Sequence, residues 1–480
     1  RSLGAQERRD TENYLLRKWM GRTAPGYAGG TVEFGEMTYA GDAQLAVEGD
    51  AGRVSLGQLQ ADGSLVKSGA GSLDVGVLGD GVGSVNVGGG NLTVSGVYPG
   101  AWFHVDAGDP ASLTLVNENG TNFVTQWRDT STNGVCALAT DDASRPFLRA
   151  NFLNGLPVVD FGSFRYANQG VLGYGGHLNW NRECTAIREV FMVFSDTPDC
   201  VDIPVSVNWS FLLGHYGAYN FHRGGVGSLL NGIYSAAELR NGPIVIDGET
   251  ATYDAVLSSG FHVISFSPTG PVSASNFAND RGFSFGGQRL AEVLIYTHAL
   301  SDAVRQGIRQ HLFSKWENRA QALAQLRAAA GSQVTFGGGA LSVGAFEGEG
   351  RVSVPRVTAS AVSAGDAAGE VGTLALTGAL ELADGAVVTA DCVPPAGDRV
   401  DVDGALRILG GGTFVVDCPE GSFNGLSVTL FTFGSIEGAS NLSKWTVTGS
   451  ACSRYSVKPV IVDSQLKLTF AAKGTWLLLR

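Results

Sequence analysis

Short runs in which apolar and polar residues alternate recur through residues 23–98. They include Gly30-Thr-Val-Glu-Phe-Gly35, Gln44-Leu-Ala-Val47, Arg53-Val-Ser-Leu56, Ser72-Leu-Asp-Val75, Ser84-Val-Asn-Val87 and Asn91-Leu-Thr-Val94. A period of two marks strands with one buried face, and the Gly-Asp and Gly-Ala pairs between them mark turns. The same texture returns in 332–475, as in Val334-Thr-Phe-Gly337, Ala340-Leu-Ser-Val343 and Thr373-Leu-Ala-Leu376. Either a β-solenoid or a small sandwich of short strands accounts for it. Degenerate Gly-x-Leu-x-Val repeats favour the solenoid, whose coils are interchangeable.

Residues 99–320 follow another pattern. Their strands are longer, as in Arg188-Glu-Val-Phe-Met-Val-Phe194 and Phe261-His-Val-Ile-Ser-Phe266, and Asn154-Gly155 and Asp247-Gly248 are hairpin signals. Roughly ten to fourteen antiparallel strands in this length predict two packed sheets, a jelly-roll sandwich. The block closes with the strand Leu290–Tyr296, then Ser301 as helix cap. Val304, Ile308, Leu312 and Trp316 follow at four-residue intervals, one apolar stripe to lie on the sandwich.

Residues 1–19 align without a gap on His298–Trp316, with identities Leu3/Leu300, Arg8/Arg305, Leu15/Leu312, Lys18/Lys315 and Trp19/Trp316. Gly52-Arg53-Val54-Ser55 likewise returns as Gly350-Arg351-Val352-Ser353. Such self-similarity points to a tandem array. The expected fold is all-β: an antiparallel jelly-roll sandwich between two Gly-rich β-solenoid segments, with short amphipathic helices at 3–20 and 301–330. The expected divisions are 1–22, the closing helix of a truncated preceding sandwich; 23–98, a short solenoid; 99–320, the sandwich; 321–331, a helical linker; and 332–480, a second solenoid. Leu3, Tyr14, Leu15 and Trp19 are expected to dock on the first solenoid's end.

Composition sharpens this picture. Glycine is 68 of 480 residues without a Gly-X-Y period, which suits turns and excludes collagen. A net charge of −12 argues against nucleic acid and anionic membrane as partners. No apolar run is long enough to span a bilayer, and Arg1–Asp10 is too polar for a signal peptide. The six cysteines lack Cys-x-x-Cys spacing, so zinc is not indicated. Residues 378–392 and 404–418 form a 26-residue repeat ending in Cys392 and Cys418. On successive coils these two would lie about 4.8 Å apart, which admits either a disulfide or a reduced ladder. A bridge would favour an oxidising, extracellular setting.

The short-strand texture, best in 370–472, resembles the β-helical passenger repeats of bacterial autotransporters and related surface proteins. Within the central block, Trp102-Phe-His-Val-Asp-Ala107, Gln126-Trp-Arg-Asp129 with Asn133, and Arg145-Pro146 are followed by Asn154-Gly-Leu-Pro-Val-Val-Asp-Phe161. The series ends in Glu292-Val-Leu-Ile-Tyr-Thr-His-Ala-Leu-Ser301 and Lys315-Trp316. These are similar to laminin-G-like, concanavalin A-like lectin/glucanase domains of bacterial secreted proteins. The resemblance implies a secreted or cell-surface protein whose sandwich binds glycan and whose solenoids act as spacers. The rival expectation is architectural: a fibre, coat or stalk assembled through contacts with copies of itself or other surface proteins.

Candidate chemistry is sparse. Glucanases on this fold project alternating carboxylates into a cleft, whereas strand 188–194 carries only Glu189 and strand 290–296 only Glu292, so no enzyme is expected. Sugar binding needs aromatic faces with planar polar groups. Trp180 with Asn179, Asn181 and Arg182 is one candidate, and His215, Tyr216, Tyr219, Asn220, His222 and Arg223 form another. Core packing is the alternative for each. Many lectin sandwiches hold calcium, and Asp106, Asp109, Asp129 and Asn133 offer hard oxygen ligands. Side-chain caps of turns explain the same residues without a metal. Along the sequence the histidines show no His-x-x-x-His pair and no Ser/Asp partners.

Overall fold

The computed structural model describes residues 31–162, 176–197, 211–223, 228–280, 283–284, 286–367, 369–418 and 422–473. The expected helix at 3–20 lies outside them. Seven strands precede the sandwich: β1 (Thr31–Tyr39), β2 (Ala43–Ala46), β3 (Arg53–Ala61), β4 (Ser64–Ser68), β5 (Ser72–Leu78), β6 (Ser84–Val87) and β7 (Asn91–Val94). They build two parallel ladders, β1-β3-β5-β7 and β2-β4-β6. The period of two sends Phe34, Leu56, Val75 and Val94 inward as one in-register column, while Glu33, Ser55, Asp74 and Thr93 point out.

Both ladders continue across the sandwich. Strand β6 pairs in parallel with Gln321–Ala328, and β7 with Gln333–Phe336, so that Val94 stacks on Phe336. The chain leaves one coil after Val94 and completes that coil at Gln321, more than 200 residues later. The two solenoid stretches are therefore one solenoid with the sandwich inserted at a corner. In the next coil the short stretch 337–340 makes the same connection, between Phe336, which stacks on Val94, and Leu341, which stacks on Gln321.

Here the expected helix over 301–330 needs correction. A helix, α1, spans Asp302–Trp316, but Gln321–Ala328 is a strand, not a helical linker. Its Ala, Leu, Gln and Arg residues favour helix intrinsically. Pairing with β6 on one side and Leu341–Gly348 on the other overrides that preference and buries Leu323, Leu326 and Ala328.

The solenoid then runs through Arg351–Ala364, Thr373–Val393, Arg399–Ile408 and Ser427–Glu437. The 26-residue repeat stacks in register, with Leu380 on Leu406 and Ala390 on Val416. The far end is closed by the antiparallel hairpin Tyr455–Val462/Gln465–Ala472, whose second strand crosses Ser427–Glu437.

The inserted block is an antiparallel sheet folded into a jelly-roll-like sandwich. Its core gathers Phe103, Trp127, Phe161, Phe191 and Phe277. Both hairpin signals are realised: Asn154 and Gly155, and Asp247 and Gly248, all take positive φ between paired strands. Only such left-handed turns match the twist of a two-residue hairpin.

Candidate functional site

The most connected polar site is the joint where α1 fastens the sandwich to the solenoid. Ser301 caps the helix by accepting from Val304 N, and the stripe Val304, Ile308, Leu312 and Trp316 is fully buried. At the helix start, Arg305 Nη2 lies 2.7 Å from Glu189 Oε1. Glu189 also accepts from Leu300 N and, at 2.5 Å, from Ser267 Oγ. At the helix end, Lys315 Nζ lies 2.7 Å from Glu292 Oε2 and also pairs with Asp106. Glu292 further accepts from Trp316 Nε1 at 2.7 Å, and His104 Nε2 stands 2.9 Å away.

Burial would raise the Glu292 carboxyl, but the Lys315 ammonium and the hydrogen bonds from His104 and His311 outweigh it and hold it well below the usual range. Asp106 is pushed up by its burial and by the Glu292 charge, against the pull of Lys315. Burial would lower Lys315, yet the two carboxylates keep it above its ordinary value. One ammonium thus bridges the fully buried Glu292 and the partly buried Asp106. The opposite side of α1 meets the solenoid. Gly307 passes so close to Val77 that a Cβ would fall 1.8 Å from its Cγ1. Ser314 Oγ donates to Ala340 O and accepts from Ala340 N, and Ser301 reaches Glu36 of β1.

Both strand acids weighed above as catalytic candidates therefore anchor a helix. The sequence carried a signal that was missed: a lone acid in an otherwise apolar strand needs a buried cation, and Arg305 and Lys315 were the cations.

The first sugar-binding segment is corrected by its burial. Trp180 is 5% exposed and packs on Phe103, Trp102 and Phe277, so its face is closed to a sugar. Asn179 accepts from Asn279, Asn181 accepts from Cys136 N, and Arg182 lies over Trp102. In the second segment His222 and Arg223 are buried, and Arg223 pairs with Asp196. Asn220 donates to Ser273, and His215 bonds Glu183. Tyr216 is exposed, and Tyr219 lies 5.8 Å from the ring of Tyr234. Tyr234, Ile233 and Val256 are exposed apolar side chains of the neighbouring loops.

The calcium candidates do not converge. Asp106 caps Gly108 N and holds Lys315; Asp109 caps Ala111 N. Asp129 accepts from His104 N and Ser131 N, while Asn133 turns its NH₂ toward Ala101 O. Among the described residues no group of three or more His, Cys, Asp or Glu is arranged to hold a metal. Cys392 and Cys418 are buried free thiols one coil apart, the reduced arrangement.

Spatially, a Ser/His/Asp set does exist, contrary to the sequence reading. Ser258 Oγ lies 3.3 Å from His262 Nε2, and His262 Nδ1 is 2.7 Å from Asp247 Oδ2. The hydrogen bond to Asp247 raises the His262 pKa, and Nε2 is nearer, at 3.0 Å, to the Ser258 carbonyl. An Nε2 that faces the Ser258 carbonyl is placed to donate to it, not to accept the serine proton. The set ties the β-hairpin at Asp247 to the segment around Ser258.

Comparison with protein-family models, curated proteins and solved structures gave no match. The class is accordingly defined by geometry: a modular all-β protein made of a β-solenoid with an inserted antiparallel sandwich.

Proposed function

We propose that this chain is a non-catalytic structural module of a secreted or cell-surface protein, a solenoid that holds the sandwich at a fixed position. The observation that carries this reading is the uninterrupted ladder through the insertion, β6 to Gln321–Ala328 and β7 to Gln333–Phe336. Two chain crossings and a helix clamped on both sides restrain the sandwich, as suits a spacer that presents a domain. The use of Glu189 and Glu292 as helix anchors supports a role without catalysis. The resemblance to laminin-G-like domains and autotransporter repeats agrees with a surface setting.

A second reading, glycan display, is favoured by the exposed aromatic surface at Tyr216 and Tyr234. A glycan array and polysaccharide digestion with the full chain distinguish the readings. The structural reading expects neither binding nor turnover, with Glu189→Gln and Glu292→Gln losing stability alone. Binding abolished by Tyr216→Ala or Tyr234→Ala would favour glycan display. Turnover that disappears in folded Glu292→Gln would sink both.

A further inference from the structure

Cys392 and Cys418 close the two copies of the 26-residue repeat, each directly after an aspartate. The parallel ladder between Ala386–Asp391 and Gly412–Asp417 ends one residue before them. Alternation carries both inward, so Val388, Ala390 and Cys392 are buried on one coil and Phe414, Val416 and Cys418 on the next. Neighbouring strands of such a ladder stand about 4.8 Å apart, inside the Cα range of a disulfide. The two side chains also meet, each thiol within hydrogen-bonding reach of the other.

We propose that Cys392 and Cys418 form a disulfide when the chain folds in an oxidising medium, stapling two successive coils of the solenoid. The backbone leaves room for the bond to close. Regular parallel pairing stops at Asp391 and Asp417; Cys392 pairs with Gly397 in an antiparallel turn, and Cys418 N donates to Ser450 Oγ at 2.9 Å. Beyond the last ladder pair the two Cβ atoms can draw together to the ~3.8 Å that a disulfide requires. Metal ligation is not what this pair fits, since among the described residues no three His, Cys, Asp or Glu are arranged to hold an ion.

The oxidant is a small-molecule disulfide such as oxidised glutathione. One cysteine thiolate attacks it, forming a mixed disulfide and releasing one glutathione thiol; the second cysteine thiolate then displaces the other glutathione. The two cysteine protons and the electron pair end on two glutathione thiols, and one S–S bond replaces another. Cys392 is 0% exposed and Cys418 1%, so exchange takes place while the coil is open, and the closed coil then shields the bridge from reductant.

Equilibrating the full chain with oxidised and reduced glutathione in sub-denaturing urea, which opens coils reversibly, tests this after alkylation and peptide mapping. The peptides carrying Cys392 and Cys418 are expected as one linked species, about 2 Da lighter than the two thiol peptides together. Cys452→Ala should keep that link, because Cys452 is the nearest competitor in the sequence and its Sγ is engaged with Val447 O. The bridged protein should unfold at a urea midpoint about 0.5–1 M above the reduced one, a difference absent from Cys392→Ala/Cys418→Ala. Both cysteines alkylated at equilibrium, a link from either to another cysteine, or a bridged form no harder to unfold than the reduced one would overturn the inference.

Discussion

Removing the charge of Glu292 tests the joint most directly. Glu292→Gln keeps the side chain's volume and leaves an oxygen to accept from Trp316 Nε1, so the change removes the charge that Lys315, His104 and His311 face. Glu292 is fully buried and the Lys315 side chain is 12% exposed. Breaking such a pair leaves a buried cation and typically costs 3–5 kcal/mol. Because Lys315 retains Asp106, the lower end applies, about 3 kcal/mol. For a unit of the sandwich's size this corresponds to a fall in melting temperature of about 6–12 °C. Scanning calorimetry should show it in the sandwich transition. A cycle with Lys315→Met should recover a coupling of at least about 1 kcal/mol. Asp74→Asn provides the contrast, since its partner Arg53 is 59% exposed and such pairs contribute about 0–1 kcal/mol. The sign with pH also follows. Glu292 titrates lower folded than unfolded, so its contribution is present above the ordinary glutamate range and fades as pH falls through the depressed folded value. A Glu292→Gln variant within 0.5 kcal/mol of wild type, as an order of magnitude for neutral surface changes, would refute the clamp as an energetic element.

Other consequences can be checked as readily. Replacing residues 95–320 by a copy of Gly337-Gly-Gly-Ala340 should leave a folded solenoid, because the next coil joins the positions stacked on Val94 and Gln321 with that short loop; loss of cooperative unfolding by circular dichroism would contradict continuity of the ladders. Asp398 is buried, which raises its pKa to about 6 despite hydrogen bonds from Asp391 N and Gly372 N. A folded value above the unfolded one means stability declines as pH rises from about 4 to about 6, by up to about 3 kcal/mol, and Asp398→Asn should flatten that slope in urea melts. Gly378 has φ +132° and its added Cβ would sit 1.9 Å from Val354 O, whereas Gly385 faces open space. Gly378→Ala should therefore destabilise well beyond the 1–2 kcal/mol of left-handed strain expected for Gly385→Ala. Burial raises the thiol pKa of Cys392 and Cys418, so neither should react with a thiol reagent until the coil unfolds; rapid labelling in the native state would contradict their packing.

Local rules made much of this protein legible from its residues. Period-two alternation identified the strands, paired positive-φ residues fixed the Asn154-Gly155 and Asp247-Gly248 hairpins, and four-residue spacing located the buried stripe of α1. These features depend on neighbours in the chain. Gln321–Ala328 shows where that reach ends, for its helix-favouring residues became a strand once β6 and Leu341–Gly348 offered hydrogen bonds on both edges. Trp180 was ambiguous for a related reason, because an aromatic ring in a polar sequence is platform or core depending on what the opposite sheet brings to it. Glu292, Lys315, Asp106 and His104 come from separate segments, and only folding made them one charge network.

Strand alternation and turn chemistry are written over a few residues, so a Gly-rich, short-stranded all-β chain with a distinct aromatic-rich block is legible from the residues alone. That the two solenoid stretches are one rests on contacts between segments far apart in the chain. Val94 and Phe336 are more than 200 residues apart in the chain yet stack on adjacent coils. Parallel ladders impose no limit on the loop between neighbouring strands, and a long insertion adds little closure entropy beyond a short one.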